Sequence, residues 1–398
     1  MTRGLLLTIG VAGLLLAWAG GAWDVAWHRT IGRDTFWTAP HVLIYGGVAL
    51  SGLSALIATV QTVSRGATSH ELRVGPLRCE LGLALVGIGA LSAILSAPVD
   101  DAWHAAFGRD VDIWSPPHLF AVAAISLIFV GWALALEPGM FPIPDPLRRL
   151  LRIVVLSGIV GVAVFAENFY YMLTSTREAF FYPLLTALLA TVALGFGARL
   201  IGGRWAATWI ALAYTVVTLV VIGALQSTGW RAPAFPPMVL AGAFALDLVR
   251  ARSRSPLLLG AAFAVAFVAA EFLRSAVLTP VGGVAVPGPL VSTLRESSLF
   301  DFYRAQAIAR PWNSLWPLFA LVAATPLAAL GWVIGTRYGA LLLEPSDSHA
   351  TEPVALTGPR RVQRCADAER PLTQRDPAIG KRDQARIRDA RRRDAGGR

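Results

Sequence analysis

Residues 4–63 read GLLLTIGVAGLLLAWAGGAWDVAWHRTIGRDTFWTAPHVLIYGGVALSGLSALIATVQTV. Two long uncharged runs flank a polar connection that holds Asp24, His28, Arg29, Arg33, Asp34 and His41. An apolar run of about 20 residues matches the ~30 Å hydrocarbon thickness of a bilayer when it is helical. Only helices and closed barrels can cross, because every backbone N–H and C=O must find a partner inside the chain. The same pattern recurs along the molecule, with spans at 4–22, 41–63, 79–99, 118–136, 153–173, 181–200, 206–227, 257–278 and 315–336. A tenth run, 236–249, is short. It reads as a tilted span or as a re-entrant segment.

Composition agrees with that reading. Of 398 residues, 55% are hydrophobic and 15% charged, and the mean hydropathy is +0.57. A soluble enzyme of ordinary composition is excluded. The expected fold is all-α, a polytopic membrane helix bundle of about ten transmembrane helices. Its first partner is the lipid bilayer, and no nucleic acid is expected. Two cysteines, Cys79 and Cys365, cannot build a disulfide framework or a thiolate metal site.

The formal charge of +10 is unevenly spread: residues 350–398 hold thirteen Lys/Arg and seven Asp/Glu, a net +6. With ten spans, alternate connections carry the arginines: Arg65, Arg73 and Arg78; Arg148, Arg149 and Arg152; Arg199 and Arg204; Arg250, Arg252 and Arg254. The positive-inside rule then puts both termini in the cytoplasm of a multi-pass plasma-membrane protein. Residues 344–398 read as a disordered basic cytoplasmic tail. The connection 279–314 is long for a helical bundle and mixes Leu294, Leu299, Phe300, Phe302 and Tyr303 with charges. It reads as an interfacial helix covering the site described next, or as a surface hairpin.

An internal repeat organises residues 1–136, with units of about 4–63 and 79–136, followed by further spans over 137–343. Trp27-His28 recurs as Trp103-His104, Gly32-Arg33-Asp34 as Gly108-Arg109-Asp110, and Trp37…Pro40-His41 as Trp114…Pro117-His118. The offset is 76 at the front and 77 at the back, so one residue is inserted between. Both units enter the membrane in one direction, which makes the repeat parallel. The first span, with Arg3 and the small residues of 17–22, could be mistaken for a signal peptide. As the counterpart of the third span it is expected to be retained.

The repeated residues carry chemistry. Asp24, His28 and His41 stand as Asp-x3-His-x12-His, and Asp100, His104 and His118 as Asp-x3-His-x13-His. Residues four apart on a helix share a face. A hairpin that returns the start of the next helix beside them closes a cluster of two imidazoles and one carboxylate. Such a set suits a transition metal with open coordination positions: iron, copper, zinc or manganese. Acids near hydrocarbon are costly, on the order of 2.5–3.5 kcal/mol at mid-membrane, and a cation offsets that cost.

Four of the six histidines lie in these two stretches, and His70 and His349 lie elsewhere. Asp101 competes with Asp100, although helix phase favours Asp100. Asp34 and Asp110 read as turn residues or as supports that orient a ligating imidazole. Glu167 and Glu271 are intramembrane acids at the same level, and Asp247 pairs with Arg250 near the opposite face. Plainer readings stand beside these: Asp24 paired with Arg29 or Arg33, Glu271 with Arg274, and Trp23, Trp27, Trp37, Trp103 and Trp114 as an interfacial belt.

At these residues the sequence resembles the C subunit of the copper membrane monooxygenases, the particulate methane and ammonia monooxygenases, which carries an intramembrane Asp-x3-His-x12-His metal site. Asp24, His28 and His41 match that spacing; Asp100, His104 and His118 match with one extra residue. The resemblance covers these stretches only. That subunit has fewer spans than ten and is not a tandem repeat of the motif. The resemblance implies a copper-type site facing a lipophilic substrate, an oxidoreductase activity, and other membrane subunits as partners. A transporter or metal-handling protein using intramembrane acids is the rival expectation, and a purely structural staple is a third.

Overall fold

The computed structural model describes residues 2–31, 36–63, 71–74, 77–107, 115–137, 141–174, 178–230, 232, 236–278 and 312–343, with backbone alone at 29, 62–63, 71–74, 77–78, 165–174 and 276–278. The described residues form ten helices and one short β-hairpin. In chain order they are α1 (Arg3–Thr30), α2 (Ala39–Val63), β1 (Glu71–Val74), β2 (Leu77–Glu80), α3 (Leu81–Phe107), α4 (Pro116–Ala135), α5 (Asp145–Thr174), α6 (Phe181–Ile201), α7 (Ala206–Ser227), α8 (Val239–Arg250), α9 (Pro256–Leu278) and α10 (Trp316–Leu343). Among the described residues, eight of them (α1–α4, α6, α7, α9 and α10) are long and apolar enough to cross a membrane. The chain is a polytopic helical membrane protein.

The 30-residue α5 gathers Asp145, Arg148, Arg149 and Arg152 in its first turns, ahead of the uncharged run that begins at Ile153. By contrast α8 has 12 residues, which rise about 18 Å and fall short of the hydrocarbon thickness. Pro236 and Pro237 precede it, and Met238 N–H donates to Glu271 Oε1 at 2.8 Å. Of the two readings for 236–249, the structure gives a short helix whose N-terminus is capped by a buried carboxylate. Non-helical backbone at membrane depth requires such a partner.

The third predicted span also starts later than its hydropathy suggests. Cys79 belongs to β2, which pairs antiparallel with β1 in the register Leu72↔Cys79 and Val74↔Leu77. Helix α3 begins only after Glu80, whose side chain accepts from Leu83 N–H at 2.7 Å. A carboxylate that satisfies a first-turn donor sets a helix start, whatever the apolarity just before it.

Small residues let the hairpin helices cross closely. A Cβ on Gly13 would lie 2.6 Å from Gly47 O, and one on Gly89 would lie 2.7 Å from Ala124 O. Gly89 follows Gly13 by 76 and Ala124 follows Gly47 by 77, the offsets already seen in the polar motifs. The α1–α2 and α3–α4 crossings therefore use matched positions. Trp132 of α4 joins the two hairpins: its indole N–H donates to Ser51 Oγ of α2 at 2.7 Å, fully buried.

Candidate metal centre

The candidate ligand residues lie at the open ends of the two hairpins. Asp24 and His28 are on the last two turns of α1, and His41 is on the first turn of α2. Asp100 and His104 are near the end of α3, and His118 is on the first turn of α4. Helical spacing stacks each Asp–His pair on one face, and the close helix crossing brings the second histidine back to it.

The contacts repeat atom for atom. Asp24 Oδ2 lies 3.8 Å from His28 Nε2, and Asp24 Oδ1 lies 3.3 Å from His41 Nε2. Asp100 Oδ2 lies 3.6 Å from His104 Nε2, and Asp100 Oδ1 lies 3.2 Å from His118 Nε2. The second triad is the tighter one: its three ligand atoms fall within 4.8 Å of one another, the one such group among the described residues. Its two imidazole rings sit 5.4 Å apart, tilted by 59°. Side-chain exposures of 13% for Asp100, 19% for His104 and 28% for His118 leave the group half-buried.

Asp24 Oδ1 and Asp100 Oδ1 are buried against an imidazole Nε2 at 3.3 and 3.2 Å, where either a protonated ring or a cation would satisfy the carboxylate. His41 Nδ1 lies 3.3 Å from Phe36 O. A carbonyl only accepts, so Nδ1 carries the proton. In a neutral ring Nε2 then turns a lone pair toward the Asp24 oxygen. A backbone carbonyl holding the far nitrogen is the usual way a ligating imidazole is oriented.

The two triads are neighbours. Tyr45 of α2 lies one turn beyond His41, with ring centroids 6.4 Å apart, and Ser96 of α3 lies one turn before Asp100, its hydroxyl donating to Ala93 O at 2.7 Å. Both Asp24 and Asp100 bear electrostatically on the Tyr45 hydroxyl, and His118 does so on Asp24. Sequence reading missed Tyr45 and Ser96. Helical phase (His41 to Tyr45, Ser96 to Asp100) is the signal that could have found them.

The other singled-out residues divide. Asp101 is exposed while Asp100 makes the contacts, as helix phase indicated. Glu271 is fully buried and saturated: it accepts from Tyr182 Oη at 2.6 Å and Met238 N, and pairs with Arg274 Nε at 2.6 Å. None of these partners belongs to the first four helices. Asp247 is likewise engaged, accepting from Thr208 N and Oγ1, each at 2.8 Å, and from Arg250. Both acids fasten helix ends.

Trp23 and Trp27 pack on Trp230, at 5.7 and 5.2 Å between centroids, while Trp37 is 79% exposed. Asp34, Asp110, Trp114, the side chains of Arg29, Arg33 and Glu167, His70, the connection 279–311 and the tail from 344 lie outside the described residues. No family model, curated protein or solved structure matches this chain.

Proposed function

We propose that this chain is an integral membrane metalloprotein. Asp100, His104 and His118 hold a divalent transition-metal ion, and Asp24, His28 and His41 form a second, neighbouring site. The observation that carries the reading is one carboxylate bridging two imidazole Nε2 atoms, made twice with the same atoms at 3.2–3.8 Å. Two imidazoles and a carboxylate with open positions suit copper, iron and zinc. Copper is our first choice, in keeping with the resemblance to the copper membrane monooxygenases, and with it an oxidoreductase role toward a small or lipophilic molecule. A redox-active ion would supply one-electron chemistry at an open coordination position. The protein's own part is to orient the imidazoles, as Phe36 O does for His41, and to restrict water.

The arginines at the opposite helix ends support placing the triads near the outer face of the plasma membrane. Arg152, for example, is held by Glu137 and Ala133 O. The transport alternative draws less support, because Glu271 and Asp247 are committed to structural partners.

Metal analysis of purified protein, as isolated and after reconstitution with copper, iron or zinc, tests the proposal. Wild type should retain one to two equivalents. His104→Ala should lose the tighter site and His28→Ala the other. Wild type that holds no more metal than the His28→Ala/His104→Ala double variant would end it.

A further inference from the structure

Three acids stand at the helix ends opposite the triads, and each is taken by an arginine. Asp145 pairs with Arg148, Glu137 with Arg152 at 3.7 Å, and Asp247 with Arg250 at 3.0 Å. Two further arginines at this end, Arg149 and Arg204, are exposed, and among the described residues neither meets a carboxylate.

The fold sets both at one turn. Gly202 and Gly203 link α6 to α7 with φ of +69° and +88°, a left-handed conformation that glycine adopts without strain. Arg149 reaches this turn from α5: a Cβ on Gly203 would lie 3.4 Å from one of its terminal nitrogens. Arg204 is the next residue along the chain. Arg250 fixes the turn from α8, donating to Gly203 O at 2.6 Å and to Arg204 O at 2.8 Å. Asp247 balances the charge of Arg250, whereas nothing balances Arg149 and Arg204.

Beside the turn the surface is aromatic. The Arg204 guanidinium sits over the Trp205 ring, 4.9 Å from its centre. Trp205 stacks on Phe244 of α8, with centroids 5.6 Å apart and planes 11° from parallel. Phe244 is 48% exposed, and Trp209, one turn further along α7, is 50% exposed. On a chain that crosses a membrane, such rings belong where headgroups give way to acyl chains. Uncompensated cations above exposed rings match the two halves of an anionic lipid. A soluble anion would use the arginines and leave the rings uncovered.

We propose that Arg149 and Arg204 form a binding site for the phosphate of an anionic phospholipid, whose acyl chains lie against Phe244 and Trp209. Basic groups beside spanning helices attract such headgroups. Arginine suits the role because its planar donors meet phosphate oxygens two at a time. The site stands independently of the metal reading.

Native mass spectrometry of the full chain in detergent, with phosphatidylglycerol, phosphatidylcholine or glycerol 3-phosphate added, tests it. The Arg149→Gln/Arg204→Gln variant should bind phosphatidylglycerol about thirtyfold more weakly than wild type, at about fivefold per arginine. Each single variant should lose about fivefold, which keeps the test open should the double variant not fold. Arg252→Gln/Arg254→Gln removes the same charge from exposed positions outside the site and should bind nearly as wild type does. Unchanged affinity in the Arg149 and Arg204 variants overturns the assignment. So does an equal fall in the Arg252→Gln/Arg254→Gln control, since the charge then acts diffusely. Equally tight binding of phosphatidylcholine overturns it too, and so does displacement of the lipid by an equal concentration of glycerol 3-phosphate, which would make the site one for a free anion.

Discussion

Substituting Asp100 by Asn separates a metal site from an ion-pair staple. The two side chains have nearly the same shape, so the change removes one charge and leaves the packing. Asp100 is 13% exposed and touches two imidazoles at 3.2 and 3.6 Å. If the triad is a staple of carboxylate and imidazolium, breaking it in a half-buried place costs on the order of 3–5 kcal/mol. If it is a metal site, the chelated protein loses a charge that had no ion, and its stability should move by less than about 1 kcal/mol. What disappears instead is the metal-dependent increment, about 2.7 kcal/mol when free metal is 100 times its dissociation constant.

Zinc is the ion to use here, because it leaves the emission of the thirteen tryptophans unquenched. Unfolding midpoints would be compared with and without chelator. The pH dependence has opposite signs in the two cases. Protons compete with metal for Nε2, so the zinc increment fades as pH falls through the ordinary imidazole range near ~6.5. A staple needs imidazolium, so its contribution is present at low pH and is lost as pH rises. A chelated Asp100→Asn protein that loses several kcal/mol, with no zinc increment in wild type, would refute the metal reading.

Three further outcomes follow from the geometry. Glu271→Leu strands Arg274, Met238 N and Tyr182 Oη, and should cost on the order of 3–5 kcal/mol in the same unfolding assay while leaving the metal count unchanged. Gly89→Val places a side chain against the Ala124 backbone, where a Cβ alone would lie 2.7 Å from the oxygen. It should part α3 from α4 and abolish metal at the second triad, whereas Gly87→Ala, with nothing within 4 Å, should retain metal and gain up to about 1 kcal/mol from helix propensity. Tyr45→Phe removes a hydroxyl lying near both aspartates and should leave both sites loaded and stability within about 1 kcal/mol of wild type, as metal analysis beside the unfolding curve would show.

What could be read from the chain tracks the range over which the physics acts. Spans were legible because length and apolarity are local. The choice of Asp100 over Asp101 was legible because helix phase is local too. Helix ends were less so. The start of α3 is set by Glu80 reaching Leu83 N, and the brevity of α8 by Pro236, Pro237 and a carboxylate from α9 that a hydropathy window cannot see. Glu271 itself read as a functional candidate because its burial is visible in sequence while Tyr182, 89 residues away, is not.

The difference between the two hairpins bears on why the triads exist. Position by position, Gly13 corresponds to Gly89, Gly47 to Ala124, and each triad residue to its counterpart; the glycines and the alanine sit where the two helices of a hairpin cross. Outside the hairpins the neighbours differ: α2 packs on α3, whereas α4 packs on α5. The interior chemistry stays the same in unlike surroundings, so the demand for Asp, His and His arises within the hairpin. A staple and a metal site share that geometry but part on charge: a staple needs imidazolium facing each carboxylate, a metal site needs neutral imidazoles facing a cation, and the opposite pH dependences of the Asp100→Asn comparison read the difference.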